Sequence, residues 1–285
     1  MVDHLTAEKN MQLELVSIPT DSTPLDGLFY KAGPAASDSK AALLFHGNTM
    51  NFYTGSLRFL PPVLTEAGLS CLAFNRRGHD ILAIRNSRAA EGAAFQTAAQ
   101  ATQDNRLAAQ WLAARGCASQ VVIGHSNGGM LAVKHVADHP QTQALVLLSA
   151  HCGGTDMLPR ASAAGLLAQD RLAEFTQQAR AMVAEGNGRG LMLLPGWWYV
   201  MTADSFLDQL AGLPDTLALA PQIQCPVLYI RGDKEPRDLY PAEAFAERCA
   251  GPCEVVIVED CDHFYNGVEN KVASLVARWL QKVLA

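Results

Sequence analysis

Val121-Val122-Ile123-Gly124-His125-Ser126-Asn127-Gly128-Gly129-Met130 is a short apolar run that ends in a serine bracketed by glycines and passes directly into a helical pattern. The apolar residues read as a strand buried on both faces, so the G-x-S-x-G falls where a strand turns sharply into a helix. A serine on such a turn is lifted above the sheet, its backbone forced towards positive φ. Gly124 and Gly128 are needed because a Cβ at either place collides where strand and helix cross. The bland alternative, a glycine-rich turn with an incidental serine, is disfavoured by the strand-to-helix context.

Towards the N-terminus, residues 13–19 and 25–31 read as a hairpin, punctuated by Asp21-Ser22-Thr23-Pro24. Buried strands are expected at 41–45 and 70–74, followed by His46-Gly47-Asn48 and Asn75-Arg76-Arg77-Gly78-His79-Asp80, with helices over 55–67 and 94–115. Towards the C-terminus the alternation continues with a helix over 127–138 and a strand over 144–148, then breaks between 153 and 220. There an amphipathic helix is expected over 166–185, and Trp197-Trp198-Tyr199 follow a Pro-Gly turn. The rhythm resumes with strands at 226–230 and 254–258 and helices over 241–249 and 268–284. This order predicts an α/β fold, a doubly wound and mainly parallel sheet, with an inserted helical cap. The expected units are a core over 1–152 and 221–285, and the cap over 153–220.

In such sheets the site lies at the carboxyl ends of the strands, which gathers His46 to Asn48, Ser126 and His151 on one edge. A serine nucleophile needs a base, an acid to orient that base, and donors for a developing oxyanion. His263, in the loop after the last buried strand, is the expected base. Asp233 and Glu235, in Arg231-Gly232-Asp233-Lys234-Glu235-Pro236, are both candidates for the acid. The backbone N–H of Asn127, at a helix N-terminus, is the first oxyanion donor. His151 and the cap aromatics Trp197, Trp198 and Tyr199 are candidate walls of the substrate pocket.

Length and composition agree with an enzyme of this build: 285 residues, 49% of them hydrophobic and 18% charged, suffice for one large core. A net charge of -6 excludes the basic surface that nucleic-acid binding needs. No basic n-region with an apolar h-region opens the chain, no apolar run is long enough to span a bilayer, and seven scattered cysteines form no paired metal-ligand spacing. These features predict a cytoplasmic protein with no membrane partner, no cofactor and no metal, acting on a small molecule; oligomeric state is left open. His135 and His139, four apart on a helix, lack the glutamate of a zinc motif and read as a helix end.

Gly-His-Ser-Asn-Gly-Gly at 124–129, the early His46-Gly47-Asn48, the Asn75–Asp80 turn and Arg231–Pro236 with the late Asp262-His263-Phe264 together resemble the α/β-hydrolase superfamily, over nearly the whole chain outside the cap. The resemblance implies that the acid stands three residues after Gly232. That position is Glu235, a departure from the commoner aspartate, and it leaves Asp233 as a turn residue. The H-G-N segment implies that the backbone N–H of Asn48 is the second oxyanion donor, while Arg76, Arg77, Gly78 and His79 are scaffold. The expected activity is a serine hydrolase that cleaves a carboxylic ester or related acyl bond of a small, partly hydrophobic substrate through an acyl-enzyme. A C–C bond hydrolase, a lactonase, a thioesterase or an amidase on the same residues are the alternatives, and a non-catalytic small-ligand-binding homologue is the rival from another class.

Overall fold

The computed structural model describes residues 11–33, 40–84, 88–196 and 200–285. Strands β1 (Gln12–Ile18), β2 (Leu25–Lys31), β3 (Lys40–Phe45), β4 (Ser70–Phe74), β5 (Ser119–His125) and β6 (Ala144–Leu148) belong to one sheet. The later strands β9 (Val227–Gly232) and β10 (Cys253–Val258) complete it as an eight-stranded sheet in the order β1-β2-β4-β3-β5-β6-β9-β10. The opening hairpin is antiparallel, as is the pairing of β2 with β4; every pairing from β4 to β10 is parallel. Parallel pairing puts the ends of β3, β4, β5, β6, β9 and β10 on one edge, where their loops can share a site.

Strand residues alternate between two cores. On one face Leu43, Phe45, Val122 and Leu145 pack with helices α2 (Ala98–Ala114), α3 (Asn127–Asp138) and α8 (Ala242–Arg248), through residues such as Leu112, Val136 and Phe245. On the other, Ala42, Leu44, Ile123 and Val146 pack with α1 (Ser56–Glu66) and α9 (Glu269–Val283), through Leu60, Leu64, Val276 and Leu280. A strand covered on both sides has no solvent face, and that is why β3, β5 and β6 read as continuous apolar runs. Each buried Leu or Phe contributes about 1.5–3 kcal/mol of transfer free energy.

Two helix boundaries differ from the sequence reading. The helix expected over 94–115 begins at Ala98, because the Thr97 side chain accepts the Gln100 N–H while Gln100 returns the bond to the Thr97 N–H. The helix expected over 166–185 begins only at Leu172, as α5 (Leu172–Ala184). Ahead of it Ala168, Gln169 and Asp170 wind left-handed, with φ of 57, 42 and 63°. That conformation stops a right-handed helix from extending upstream whatever the apolar spacing.

The segment between β6 and β9 carries α4 (Met157–Ala163), α5, α6 (Ala203–Gly212) and α7 (Thr216–Leu219). It also holds a two-stranded antiparallel ribbon of β7 (Leu191–Leu193) and β8 (Val200–Thr202), so it is not purely helical. Trp197, Trp198 and Tyr199 lie outside the described residues. Met157, Phe175, Met192 and Phe206 form a third core, which joins the sheet region through Met130 and Leu131 at the start of α3 and through Leu239 and Tyr240. The segment is therefore moored beside the strand ends that carry Ser126.

Candidate active site

Ser126 stands between β5 and α3 with φ 56° and ψ -119°. Non-glycine residues adopt this backbone rarely, and it persists only where the surroundings over-determine it. Here the constraint is the crossing of strand and helix: a Cβ on Gly124 would lie 2.2 Å from the Gly128 carbonyl oxygen, and one on Gly128 would lie 2.2 Å from the Phe45 carbonyl oxygen. The Ser126 N–H is tied to the Leu148 carbonyl at 2.9 Å, and the turn closes through Gly129 N–H to Ser126 C=O at 2.9 Å.

His263 arrives from the loop after β10. Its Nε2 is 3.0 Å from Ser126 Oγ, and its Nδ1 is 2.6 Å from Glu235 Oε1. With a carboxylate at Nδ1, that nitrogen carries the proton and Nε2 is left to accept from the serine hydroxyl. Glu235 is 6% exposed and fully engaged: Oε2 accepts from Ser149 Oγ at 2.7 Å and from the Gly232 N–H at 2.8 Å. Three donors on one buried carboxylate fix its rotamer. Asp233 is exposed and does not touch His263; its Oδ1 accepts the Cys261 N–H at 3.1 Å, a link between the two loops.

Two residues of this network escaped the sequence reading. Ser149 follows β6 with φ 46°, and besides Glu235 it meets Tyr265 Oη at 2.7 Å. With the Ser149 proton on Glu235, the Tyr265 hydroxyl donates to Ser149 Oγ and shares its proton with the Ile230 carbonyl, 3.0 Å away. Burial, and then the Glu235 charge, push the Tyr265 phenol well above its ordinary pKa, so it remains a donor. The available signal was slight: a hydroxyl directly after an all-apolar strand, and a tyrosine two residues beyond the histidine.

The H-G-N turn lies across from Ser126. His46 is fully buried; its Nε2 accepts the Arg76 N–H at 3.1 Å, so Nδ1 carries the proton and donates to the Gly47 carbonyl at 2.7 Å. Burial, and then the Arg76 charge, hold His46 neutral, well below the usual histidine pKa. Arg76 Nη2 donates to the His46 carbonyl at 2.6 Å, while Arg77 is held by Asp104 through its N–H and its Nε, at 2.8 and 2.9 Å. Among the described residues neither the Asn48 N–H nor the Asn127 N–H has a hydrogen-bond partner. His151 is buried at the end of β6, its Nδ1 accepting the Gly153 N–H at 3.2 Å. Burial, and then the charge of His263, lower its pKa to about 3, so it stands near the base as an uncharged ring.

Next to these residues a cavity of about 580 Å³ runs between Met50, Phe59 and Phe264, with Thr54, Arg58, Asn266 and Glu269 at its polar side. Phe264 follows His263 and is 51% exposed, and the Met50 sulfur and the Ser126 Cβ both crowd Gly47. The sequence reading did not single out this apolar wall. Away from the site, His139 Nδ1 donates to the His135 carbonyl at 2.8 Å, and the seven cysteines are free thiols. Among the described residues no cluster of three or more His, Cys, Asp or Glu could hold a metal ion, and no helix is long and apolar enough to cross a membrane.

A serine at a strained strand-to-helix turn, beside a histidine held by a buried carboxylate, is an arrangement shared by many hydrolases of this sheet topology. Residues 42–274 match the model of the alpha/beta hydrolase family, and the chain belongs to that family. Membership supports a hydrolase. No curated protein matches the sequence. Among solved structures, the hypothetical protein PA2218 of Pseudomonas aeruginosa superposes with a TM-score of 0.73 at 16% identity, over 99% of each chain. Est1E from Butyrivibrio proteoclasticus, in a structure with ferulic acid bound, gives 0.69 at 18% identity over 94% of this chain and 99% of that one. The esterase Pf2001 of Pyrococcus furiosus gives 0.66 at 16% identity, over 99% of this chain and 96% of that one. At these identities the likeness is one of fold.

Proposed function

We propose that the chain is a serine hydrolase acting on a carboxylic ester, or a related acyl compound, with a small and partly hydrophobic body. The observation that carries this reading is the continuous hydrogen-bonded chain from Ser126 Oγ through His263 to Glu235 Oε1, at 3.0 and 2.6 Å. Ser126 attacks the acyl carbon as His263 Nε2 takes its proton; Glu235 holds the ring and stabilises the imidazolium. The carbonyl electrons move to oxygen, where the N–H groups of Asn48 and Asn127 receive the negative charge. On collapse His263 returns the proton to the departing alcohol. Water, deprotonated by the same histidine, then releases the acid and restores Ser126.

Asp233 takes no part in this scheme and serves as a turn residue. The cavity walled by Met50, Phe59 and Phe264 supplies the apolar seat that an ester's organic part needs. Residues 153–220 act as the cap over the site; His151, from the core, and the cap aromatics Trp197, Trp198 and Tyr199 are the contacts with substrate. Esterases among the proteins of like fold are compatible with an ester. A panel of p-nitrophenyl esters, thioesters, lactones and anilides tests the bond class: the esters turn over fastest, and Ser126→Ala abolishes product. Saturable ligand binding without product from any member identifies a non-catalytic binder instead.

A further inference from the structure

His125 precedes the serine and lies outside the Ser126–His263–Glu235 chain, yet it is joined to the base loop. Its Nε2 is 2.9 Å from the backbone carbonyl of His263, and its ring lies 4.9 Å from the His263 ring and 5.9 Å from that of Tyr265, centroid to centroid. A carbonyl only accepts, so Nε2 carries the proton and Nδ1 is an acceptor. That nitrogen is buried without a partner among the described residues and faces the H-G-N turn, 3.4 Å from where a Cβ on Gly47 would stand. The side chain is 1% exposed. One neutral imidazole thus spans the floor between the loop that carries the base and the loop that carries an oxyanion donor.

We infer that His125 is the positioning residue for His263: its Nε2–H holds the main chain of the base so that Nδ1 stays on Glu235 and Nε2 stays on Ser126. The inference rests on the reading of His263 as the general base. A base on a loop is free to drift, and a displacement of 1 Å from productive geometry costs as much as about 100-fold in rate. The tether must also never compete for the proton. Burial, and then the charge of His263, lower the His125 pKa to about 3, so it stays neutral throughout the range in which histidines ordinarily titrate. The titratable group whose ring faces it is His263 itself. Tyr265, on the base loop, is kept protonated by burial, and Ser126 follows His125 in the chain. Around His263 the titratable neighbours are Glu235, His125, His151 and Tyr240, whose ring is 5.0 Å away, with half-buried Asp262 next in the chain engaged by Asn266.

The test compares His125→Phe, which keeps a flat ring and removes the donor, with His125→Gln, whose amide reaches a similar distance and restores an N–H. The Phe variant is expected to lose about 10- to 100-fold in kcat with KM within about 2-fold, and the Gln variant to recover most of the loss. The acid limb of kcat/KM is expected to move to lower pH in the Phe variant, because a loosened bond to Glu235 supports the imidazolium less, and to return in the Gln variant. The low-field NMR resonance of the His263 Nδ1 proton reports the same bond without turnover: it weakens in the Phe variant and reappears with Gln. A folded Phe variant that keeps the wild-type acid limb and resonance overturns the inference, as does a Gln variant no better than Phe. If the Phe variant does not fold, the Gln variant decides through the same resonance, whose loss there overturns the assignment. A wild-type chain that shows this resonance and its loss in the Phe variant, yet hydrolyses nothing, refutes the hydrolase reading and leaves the tether standing.

Discussion

The parallel sheet and the segment inserted between β6 and β9 place their residues by different means. In the sheet, Ser126, Ser149, Glu235 and His263 each follow a strand whose register with its neighbour fixes where the loop begins. In the insertion the start of α5 is set by a left-handed turn at Ala168–Asp170, and the segment is anchored by contacts with distant residues, such as the Thr202 N–H on the Ala94 carbonyl at 2.8 Å. Register is a local and periodic property, whereas a turn held by remote contacts is not. The sheet therefore carries precise chemistry, and the insertion is where related chains of this fold have room to differ.

Removing single groups from the sheet edge is the strongest challenge to that contrast. Ser126→Ala is expected to lower kcat about 10⁴-fold or more on any ester the wild type accepts. Glu235→Gln should cost about 10³- to 10⁴-fold through loss of the correct histidine tautomer, while Asp233→Asn, two residues away, stays within about 2-fold. Equal effects at the two carboxylates in steady-state assays break the assignment of the acid. Backbone geometry gives the next largest effect: Gly124→Ala, whose Cβ would meet the Gly128 carbonyl at 2.2 Å, should cost about 3 kcal/mol or more in denaturant unfolding, or prevent folding.

Acid pH provides a third separation. Burial, ahead of the charges of Arg76 for His46, His263 for His125 and His151, and His139 for His135, lowers all four folded pKa values below the ordinary histidine value, the last three to about 3. The unfolded chain then binds more protons below about pH 6.5, so the stability these groups contribute is complete above that pH and falls as pH drops towards 3. The slope reaches about 1.4 kcal/mol per pH unit for each histidine. All four lie in the sheet region, and residues 153–220 contain no histidine. Calorimetry from pH 7 to 5 should show a falling Tm, with hydrogen exchange rising first in the strands; a flat Tm contradicts the burial. The smallest effect belongs to the insertion. Gly186→Ala at φ 77°, with nothing near its Cβ, should cost about 1 kcal/mol from conformation alone.

The same contrast explains what could be read in advance. The sheet was legible because residues 41–45, 121–123 and 144–148 are continuous apolar runs, so strand ends and site edge follow together. Ser126 and His263 were legible because their chemistry demands them in that order. Glu235 was distinguishable from Asp233 only by family register, since burial alone separates two carboxylates in one loop. Ser149 and Tyr265 were hidden because their roles depend on a hydroxyl meeting a residue 86 or 116 positions away. The start of α5 was hidden because periodicity records which face is apolar and not where the backbone reverses hand. The Met50–Phe264 wall joins residues far apart in sequence, and it appears only once α1 packs on α9.

Covalent labelling by a fluorophosphonate tests the central claim most directly, because it needs an activated serine and no knowledge of the substrate. The account predicts that the wild-type chain takes up one probe, on the peptide that carries Ser126, and that Ser126→Ala takes up none. Probe on any other residue, or equal labelling of the two chains, contradicts it.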